Sequence, residues 1–337
     1  MKRFEHAILM KNYIGKKILI TGGGGYIGSA LVGKFCGIDC KLVVMHKVNK
    51  GLIEKNVEEY LHSSLNDTLV EIVCGDISQK KTWENIISPD IDIIFHLAAV
   101  EYSPDGNIMQ DFNINAISVL RMLETCVEKS CNPKIVFSSS TNIFGDAGEL
   151  IVDENTESRP LTEWSAHKLL AENYLKIFSD RLGMKTVTLR LPNVYGPVLR
   201  KNVMNRMVMN KVIQYGIKNR RLILFNNRNC YRDFLYIEDI VDAFMRAGLM
   251  SGCDCDGRYF VIGSKRLTTI AEVWTIISDE IGKIPISIND NDKLSPMEMR
   301  SFTGNYHKFN SATGWKPGVD LETGIRRTVE EVKKNFL

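Results

Sequence analysis

A chain of 337 residues, 44% hydrophobic and 25% charged, has an ordinary globular composition and enough length for a large α/β domain with an appended lobe. A net charge of +3 with scattered basic residues excludes an extended nucleic-acid surface, and the densest basic group, Lys218-Asn219-Arg220-Arg221, reads as a solvated loop. No run reaches the ~18 uncharged apolar residues that span a bilayer, no signal-peptide core precedes a small-residue cleavage site, and the eight cysteines form no metal or disulfide frame, so a cytoplasmic protein with reduced thiols and no membrane partner is expected.

Residues 1–15 read as a short extension or edge segment. Strands and helices then alternate. Strands are predicted over 17–21, 40–45, 69–74, 92–97, 134–138 and 185–191; helices are predicted over 27–36, 111–130 and 162–182. Short apolar strands separated by helical patterns specify an α/β fold with a Rossmann-type, doubly wound parallel sheet and right-handed crossovers. After Pro192 the segments shorten, with a helix near 205–215 and the run Tyr231-Arg232-Asp233-Phe234-Leu235-Tyr236-Ile237-Glu238-Asp239. The expected division is a dinucleotide-binding domain over 12–192, with a helix near 238–250 packing back on it, and a smaller C-terminal α/β substrate lobe over 193–337. Ligands of such sheets bind at the carboxyl ends of the strands.

The turn Thr21-Gly22-Gly23-Gly24-Gly25-Tyr26-Ile27-Gly28 follows a strand and opens a helix. Gly22 permits the tight turn, Gly25 lets a pyrophosphate approach the backbone and Gly28 lets helix and strand pack closely. The helix N-terminus then offers N–H groups and a positive dipole end to phosphates. A nicotinamide dinucleotide is therefore expected against Gly22, Gly25, Tyr26, Ile27 and Gly28. An acidic residue about 20 residues on commonly reads the ribose 2′-hydroxyl of NAD. His46 and Lys47 stand there instead. Removal of the carboxylate and addition of basic groups incline the reading to NADP, with NAD the alternative.

Further motifs follow. Val136-Phe137-Ser138-Ser139-Ser140 ends the fifth strand, Trp164-Ser165-Ala166-His167-Lys168 opens a helix, and Leu191-Pro192-Asn193-Val194-Tyr195-Gly196-Pro197 follows the sixth strand. With the glycine turn, the Arg232-Asp233-Phe234 run and Gly314-Trp315-Lys316-Pro317, the chain resembles the extended short-chain dehydrogenase/reductase superfamily, in its nucleotide-sugar epimerase/dehydratase branch, from about Lys16 to the end.

That resemblance implies roles. Asp76 and Ile77 lie at the adenine. Leu97, Ala98, Ala99, Ser138 and Lys168 line the pyrophosphate and nicotinamide ribose. His96 is structural, and Asn115 braces the sheet. Ser140 holds the oxygen of the reacting sugar carbon, with Asn142 beside it. Asn193, Arg232 and Arg300 bind the diphosphate, the two guanidiniums as forks. Gly314-Trp315 is structural. The helices near 111–130 and 162–182 imply a homodimer through a four-helix bundle.

Two departures stand out. The resemblance expects a tyrosine four residues before Lys168, and position 164 is Trp164, whose indole is neither acid nor base near neutral pH. Dehydratase members carry Asp and Glu after the Ser140 position, where this chain has Thr141 and Asn142. Three accounts of the proton relay follow: Glu101 or Tyr102 supplies it, His167 being turned ~100° from Lys168 on a helix; the site binds without redox chemistry; or Trp164 stacks on the sugar while ribose or water carries the proton. The expectation is an enzyme that epimerises, oxidises or reduces a nucleoside-diphosphate hexose with a bound nicotinamide cofactor. The alternatives are a catalytically silent binding protein and a dehydratase with relocated acid and base.

Overall fold

A computed structural model describes residues 8–47, 69–100, 106–197, 207–252, 255–291 and 293–336. Their contacts divide the chain into two compact units. The first comprises the described residues of Met1–Ser139, Glu163–Leu189 and Val241–Tyr259; the second comprises those of Ser140–Thr162, Arg190–Ile240 and Phe260–Leu337.

The main sheet has seven strands: β1 (Lys17–Thr21), β2 (Lys41–His46), β3 (Leu69–Cys74), β4 (Ile93–His96), β5 (Lys134–Ser140), β6 (Thr186–Leu191) and β7 (Arg258–Val261). Their order is β7-β6-β5-β4-β1-β2-β3. The pairs β1–β2, β2–β3, β1–β4 and β4–β5 are parallel. The strands β1, β2, β4 and β6 are buried almost along their length, which is why they read as continuous apolar runs rather than alternating ones. Strand β1 has β2 on one side and β4 on the other, so the strand order reverses across it and its carboxyl end is the switch point where such sheets take ligands. Thr21 closes β1 there, in register with Met45 of β2 and His96 of β4.

Helix α1 (Tyr26–Phe35) leaves the β1 turn, and α2 (Lys80–Ile86) follows β3. The helix predicted over 111–130 begins earlier, as α3 (Ile108–Phe112), because the Asn107 side chain accepts from the Gln110 N–H at 3.0 Å and caps it. It continues through a π-helical turn, Asn113–Ile117, into α4 (Ser118–Glu128). Strand β5 runs two residues beyond its predicted end, to Ser140, and α5 is Glu163–Leu182. The core of this unit joins Leu19, Ile94, Phe137, Trp83, Met122 and Leu175. The segment expected as a peripheral extension enters the core as well: Tyr13 is fully buried, stacks edge-on against Phe35 at 4.9 Å and donates to the Met245 carbonyl.

In the second unit, Leu222–Phe225 pairs in parallel with Ile286–Asn289, and Phe234–Tyr236 with Asn193–Tyr195. Phe144, Val152, Val261 and Phe302 form one of its apolar clusters. The helix predicted near 205–215 is described as Val208–Asn219. Trp315 is fully buried and donates its indole N–H to the Asp239 carbonyl at 2.9 Å, while the Asp239 carboxylate takes the N–H groups of Gly318 and Val319.

Candidate active site

In the first unit, the β1–α1 turn fits a pyrophosphate. Gly22 has φ +68°, and a Cβ there would lie 2.8 Å from the Ala98 backbone. A Cβ on Gly28 would lie 2.2 Å from the Gly22 carbonyl. Both positions hold the turn against the start of α1, whose N-cap Gly25 carries no capping side chain, so the helix end is left to backbone donors. Tyr26 and Gly28 are buried against the sheet, with Ile27 partly exposed.

At the ends of β2 and β3, the His46 imidazole lies against the turn, since a Cβ on Gly24 would meet its Cδ2 at 2.4 Å. Asp76 accepts from the Ser78 N–H at 2.9 Å and pairs with Lys47 at 3.0 Å. Burial opposes ionisation of Asp76, but the Ser78 hydrogen bonds and Lys47 outweigh it and hold the carboxyl below its ordinary range. Lys47, Asp76, Ser78, Gln110, Asn113 and Arg121 are among the residues that line a cavity of about 260 Å³. The neighbouring Ile77 is a core side chain whose carbonyl takes the Trp83 indole N–H at 2.8 Å.

At the end of β4, the Thr21 hydroxyl accepts from the N–H groups of Leu97 and Ala98, both at 3.2 Å. Its own proton is then directed to His96 Nδ1, 2.9 Å away. His96 is buried between the Phe137 and Trp83 rings, and burial, helped by the charge of Lys168, pushes it down to about 3. It is thus a neutral, structural histidine. Asn115, in the π turn, clasps Val100: its Oδ1 takes the Val100 N–H at 3.0 Å and its Nδ2 donates to the Val100 carbonyl at 3.1 Å. Its partner is therefore the loop leaving β4, rather than the sheet that the resemblance implied. Trp164 donates its indole N–H to the same carbonyl at 2.6 Å. Ala99, between these anchored residues, is exposed. Glu101 and Tyr102 lie outside the described residues.

Lys168 is one turn further along α5. Its Nζ donates to the Ser138 carbonyl at 2.9 Å and sits 4.6 Å from the Phe137 ring centroid and 5.8 Å from that of Trp164. Burial pushes this amine down to about 8, against the opposing charge of Glu172. Glu172, buried and one turn on, accepts from the Ser139 hydroxyl. His167 packs against the Phe112 ring at 5.2 Å.

In the second unit, Ser140 Oγ accepts the Asn142 N–H at 3.1 Å, which caps the turn Thr141–Phe144 and keeps the serine O–H as a donor. The Thr141 hydroxyl is committed to the Leu191 carbonyl. The Asn193 side chain donates to the Asp233 carbonyl at 2.9 Å. Buried Asp233 in turn accepts the N–H groups of Gly304 at 2.7 Å and Ser264 at 3.0 Å. Arg232 donates to the carbonyls of Tyr231, Glu298 and Arg300. Arg300 donates to the Met297 carbonyl, and burial, together with the like charge of Arg232, pushes it down to about 9. The two guanidiniums are brought together, and no carboxylate pairs with either among the described residues.

Thr21, Val100, Glu172 and Asp233 escape a motif-based reading. The i, i+4 spacing of Lys168 and Glu172 and the adjacency of Asp233 to Arg232 were the available signals. Val100 is chosen through its backbone, which carries no sequence signal.

The profile of the NAD dependent epimerase/dehydratase family matches residues 18–263. A protein of Methanocaldococcus jannaschii, which its own name assigns only provisionally to UDP-glucose 4-epimerase, is 32% identical over 94% of this chain and 99% of its own. The UDP-glucose 4-epimerase of Mycolicibacterium smegmatis is 26% identical over 93% and 97%. Among solved structures, the Thermotoga maritima UDP-glucose 4-epimerase with UDP-glucose is 26% identical and superposes with a TM-score of 0.79 over 95% of this chain and 100% of that one.

Proposed function

We propose that this chain, which belongs to the NAD-dependent epimerase/dehydratase family, is a 4-epimerase of a UDP-hexose. It is a nucleotide-sugar-modifying enzyme that uses a nicotinamide cofactor. The 4-epimerase reading takes its support from the relatives named for that activity. Thr141 and Asn142 favour it over dehydration, since neither is an acid or base at neutral pH and the Thr141 hydroxyl is held by Leu191.

The single observation that carries the substrate class is the Arg232–Arg300 pair. Two neighbouring like charges, Arg232 buried and Arg300 half-buried, with no carboxylate paired to either among the described residues, cost free energy until an anion arrives, and a diphosphate supplies charge for both. Arg300 binds the diphosphate directly, and Ser140 donates to the oxygen on the reacting carbon. The glycine turn and the start of α1 hold the cofactor pyrophosphate, Asp76 the adenosine end and Lys168 the nicotinamide ribose. A nicotinamide dinucleotide held there would supply reversible hydride exchange with the sugar carbon. The enzyme works as a homodimer through α4 and α5, supported by their exposed apolar residues Val127, Ile177 and Leu182, and it acts in the cytoplasm.

Purified protein is incubated with UDP-, GDP-, CDP- and dTDP-hexoses, and products are read by mass and NMR. Interconversion of the 4-epimers of a UDP-hexose at unchanged mass, abolished by Ser140→Ala, is expected. Loss of one water from the product, or tight binding with no turnover of any sugar, would overturn the proposal. Light scattering checks the dimer: a monomer at micromolar concentration removes that part.

A further inference from the structure

We propose that Lys168 is the proton acceptor of the reaction, its ε-amine taking the sugar hydroxyl proton as the carbon is oxidised. The inference rests on the functional reading above and concerns how this chain moves a proton. Among the described residues, the titratable side chains of the first unit at this end of the sheet are few, and most are committed. His96 is enclosed by Trp83 and Phe137 and takes the Thr21 hydroxyl proton. His167 packs against Phe112 with its Nδ1 unpartnered among the described residues, and it is turned ~100° from Lys168 along the helix. Glu172 holds the Ser139 hydroxyl. The Trp164 indole cannot exchange a proton near neutral pH, and its N–H is fixed on the Val100 carbonyl.

Lys168 is different. The only hydrogen-bond acceptor within reach of Nζ among the described residues is the neutral Ser138 carbonyl. The rings of Phe137 and Trp164 flank it, and the residue is 97% removed from solvent, with 3% exposed. Of the charged groups around it, Glu172 favours the ammonium; buried His96, being neutral, neither favours nor opposes it. Burial prevails, and the amine is held at about 8, where neutral and protonated forms interconvert at physiological pH. An amine that keeps its hydrogen bond to Ser138 through one N–H retains a lone pair for an incoming proton. The step balances: the C–H hydrogen leaves with two electrons as hydride to the nicotinamide ring, the O–H proton passes to Nζ to give the ammonium, and both return in the second half-reaction.

The test is a titration that needs no cofactor. Full-length protein labelled at lysine Cε is followed by NMR from pH 6 to 11 (a range set by the ordinary ammonium value of about 10.4), with Lys168→Met to assign the signal. A midpoint near 8 is expected for one lysine, lost in Lys168→Met. A midpoint at the ordinary ammonium value overturns the proposal. Lys168→Arg provides the second arm, because it keeps the charge and the Ser138 bond but cannot deprotonate. Turnover is expected to fall at least a thousandfold while dinucleotide binding, by calorimetry, changes less than tenfold. Turnover by Lys168→Arg within tenfold of the parent would show a role in charge alone and overturn the proposal. A low midpoint with no turnover of any activated sugar by the parent would overturn the functional reading instead.

Discussion

Arg232 donates to the backbone carbonyl of Arg300, and through a second nitrogen to that of Glu298 at 2.6 Å. One guanidinium thus fixes the chain that carries the other. Its fork spans two carbonyls at the end of the short helix Pro296–Met299, which no lysine can reproduce. Arg300→Met is therefore expected to weaken UDP binding by about 1.5–3 kcal/mol, roughly ten- to 150-fold. Arg232→Lys should cost nearly as much while keeping its charge, because the Arg300 backbone is then unsupported. Calorimetry with UDP measures both. Unchanged affinity in Arg300→Met would remove the diphosphate from this place.

The Val100 carbonyl is shared by Trp164 and Asn115. Trp164→Phe removes one hydrogen bond and keeps most of the ring, an expected loss of about 0.5–1.5 kcal/mol of folding stability. Asn115→Ala removes two bonds from a fully buried side chain and should cost more, about 2–3 kcal/mol. Because both act on one residue, the double variant should lose less than the sum. Denaturant unfolding of the three variants gives the coupling; strict additivity would mean that the two side chains do not hold the same loop.

Most of the sheet was legible because its central strands are apolar on both faces: β1 and the edge strand β3 have the predicted bounds, β6 differs by a residue at one end, β2 and β4 by a residue at each end, and only β7, short and mixed, went unpredicted. Helix starts were less legible, since the Asn107 cap lies four residues upstream of the first predicted turn and a π turn has no periodicity to reveal it. The glycine turn could be read position by position, because φ and close approach limit which residue fits. The connections among site residues could not. Lys47 read as a cation at the ribose, and it is also paired with Asp76, 29 residues on; Arg232 read as a diphosphate ligand, and its guanidinium also holds the backbone at Glu298 and Arg300. Such assignments depend on which carbonyls and carboxylates the fold brings within 3 Å, a property of tertiary geometry rather than of local pattern.

Gly28 and Gly24 separate backbone crowding from side-chain crowding. A methyl on Gly28 would stand 2.2 Å from the Gly22 carbonyl, which cannot move without opening the turn. On Gly24 it would meet the His46 imidazole at 2.4 Å, a ring that can rotate away. Gly28→Ala is expected to lower stability by about 1–3 kcal/mol and to weaken dinucleotide binding at least tenfold; Gly24→Ala should fold normally. Thermal melts with and without nicotinamide dinucleotide decide it, and equal effects at the two positions would contradict this picture of the turn.

His96 makes stability depend on acid. Burial first, and then the charge of Lys168, holds its imidazole at about 3 in the fold, against about 6.5 in the unfolded chain. Between those values the unfolded chain binds the extra proton, so stability rises with pH through that window and is flat above it. Integrated over the window, the loss on acidification has an upper bound of about 5 kcal/mol. His96→Gln removes this slope and leaves that of the carboxylates, at the cost of the Thr21 hydrogen bond at every pH. The difference in unfolding free energy between parent and variant should therefore shrink as pH falls from 7 toward 4. A difference independent of pH would mean that His96 takes up its proton in the fold as readily as in the unfolded chain, and the buried neutral ring between Phe137 and Trp83 would have to be given up.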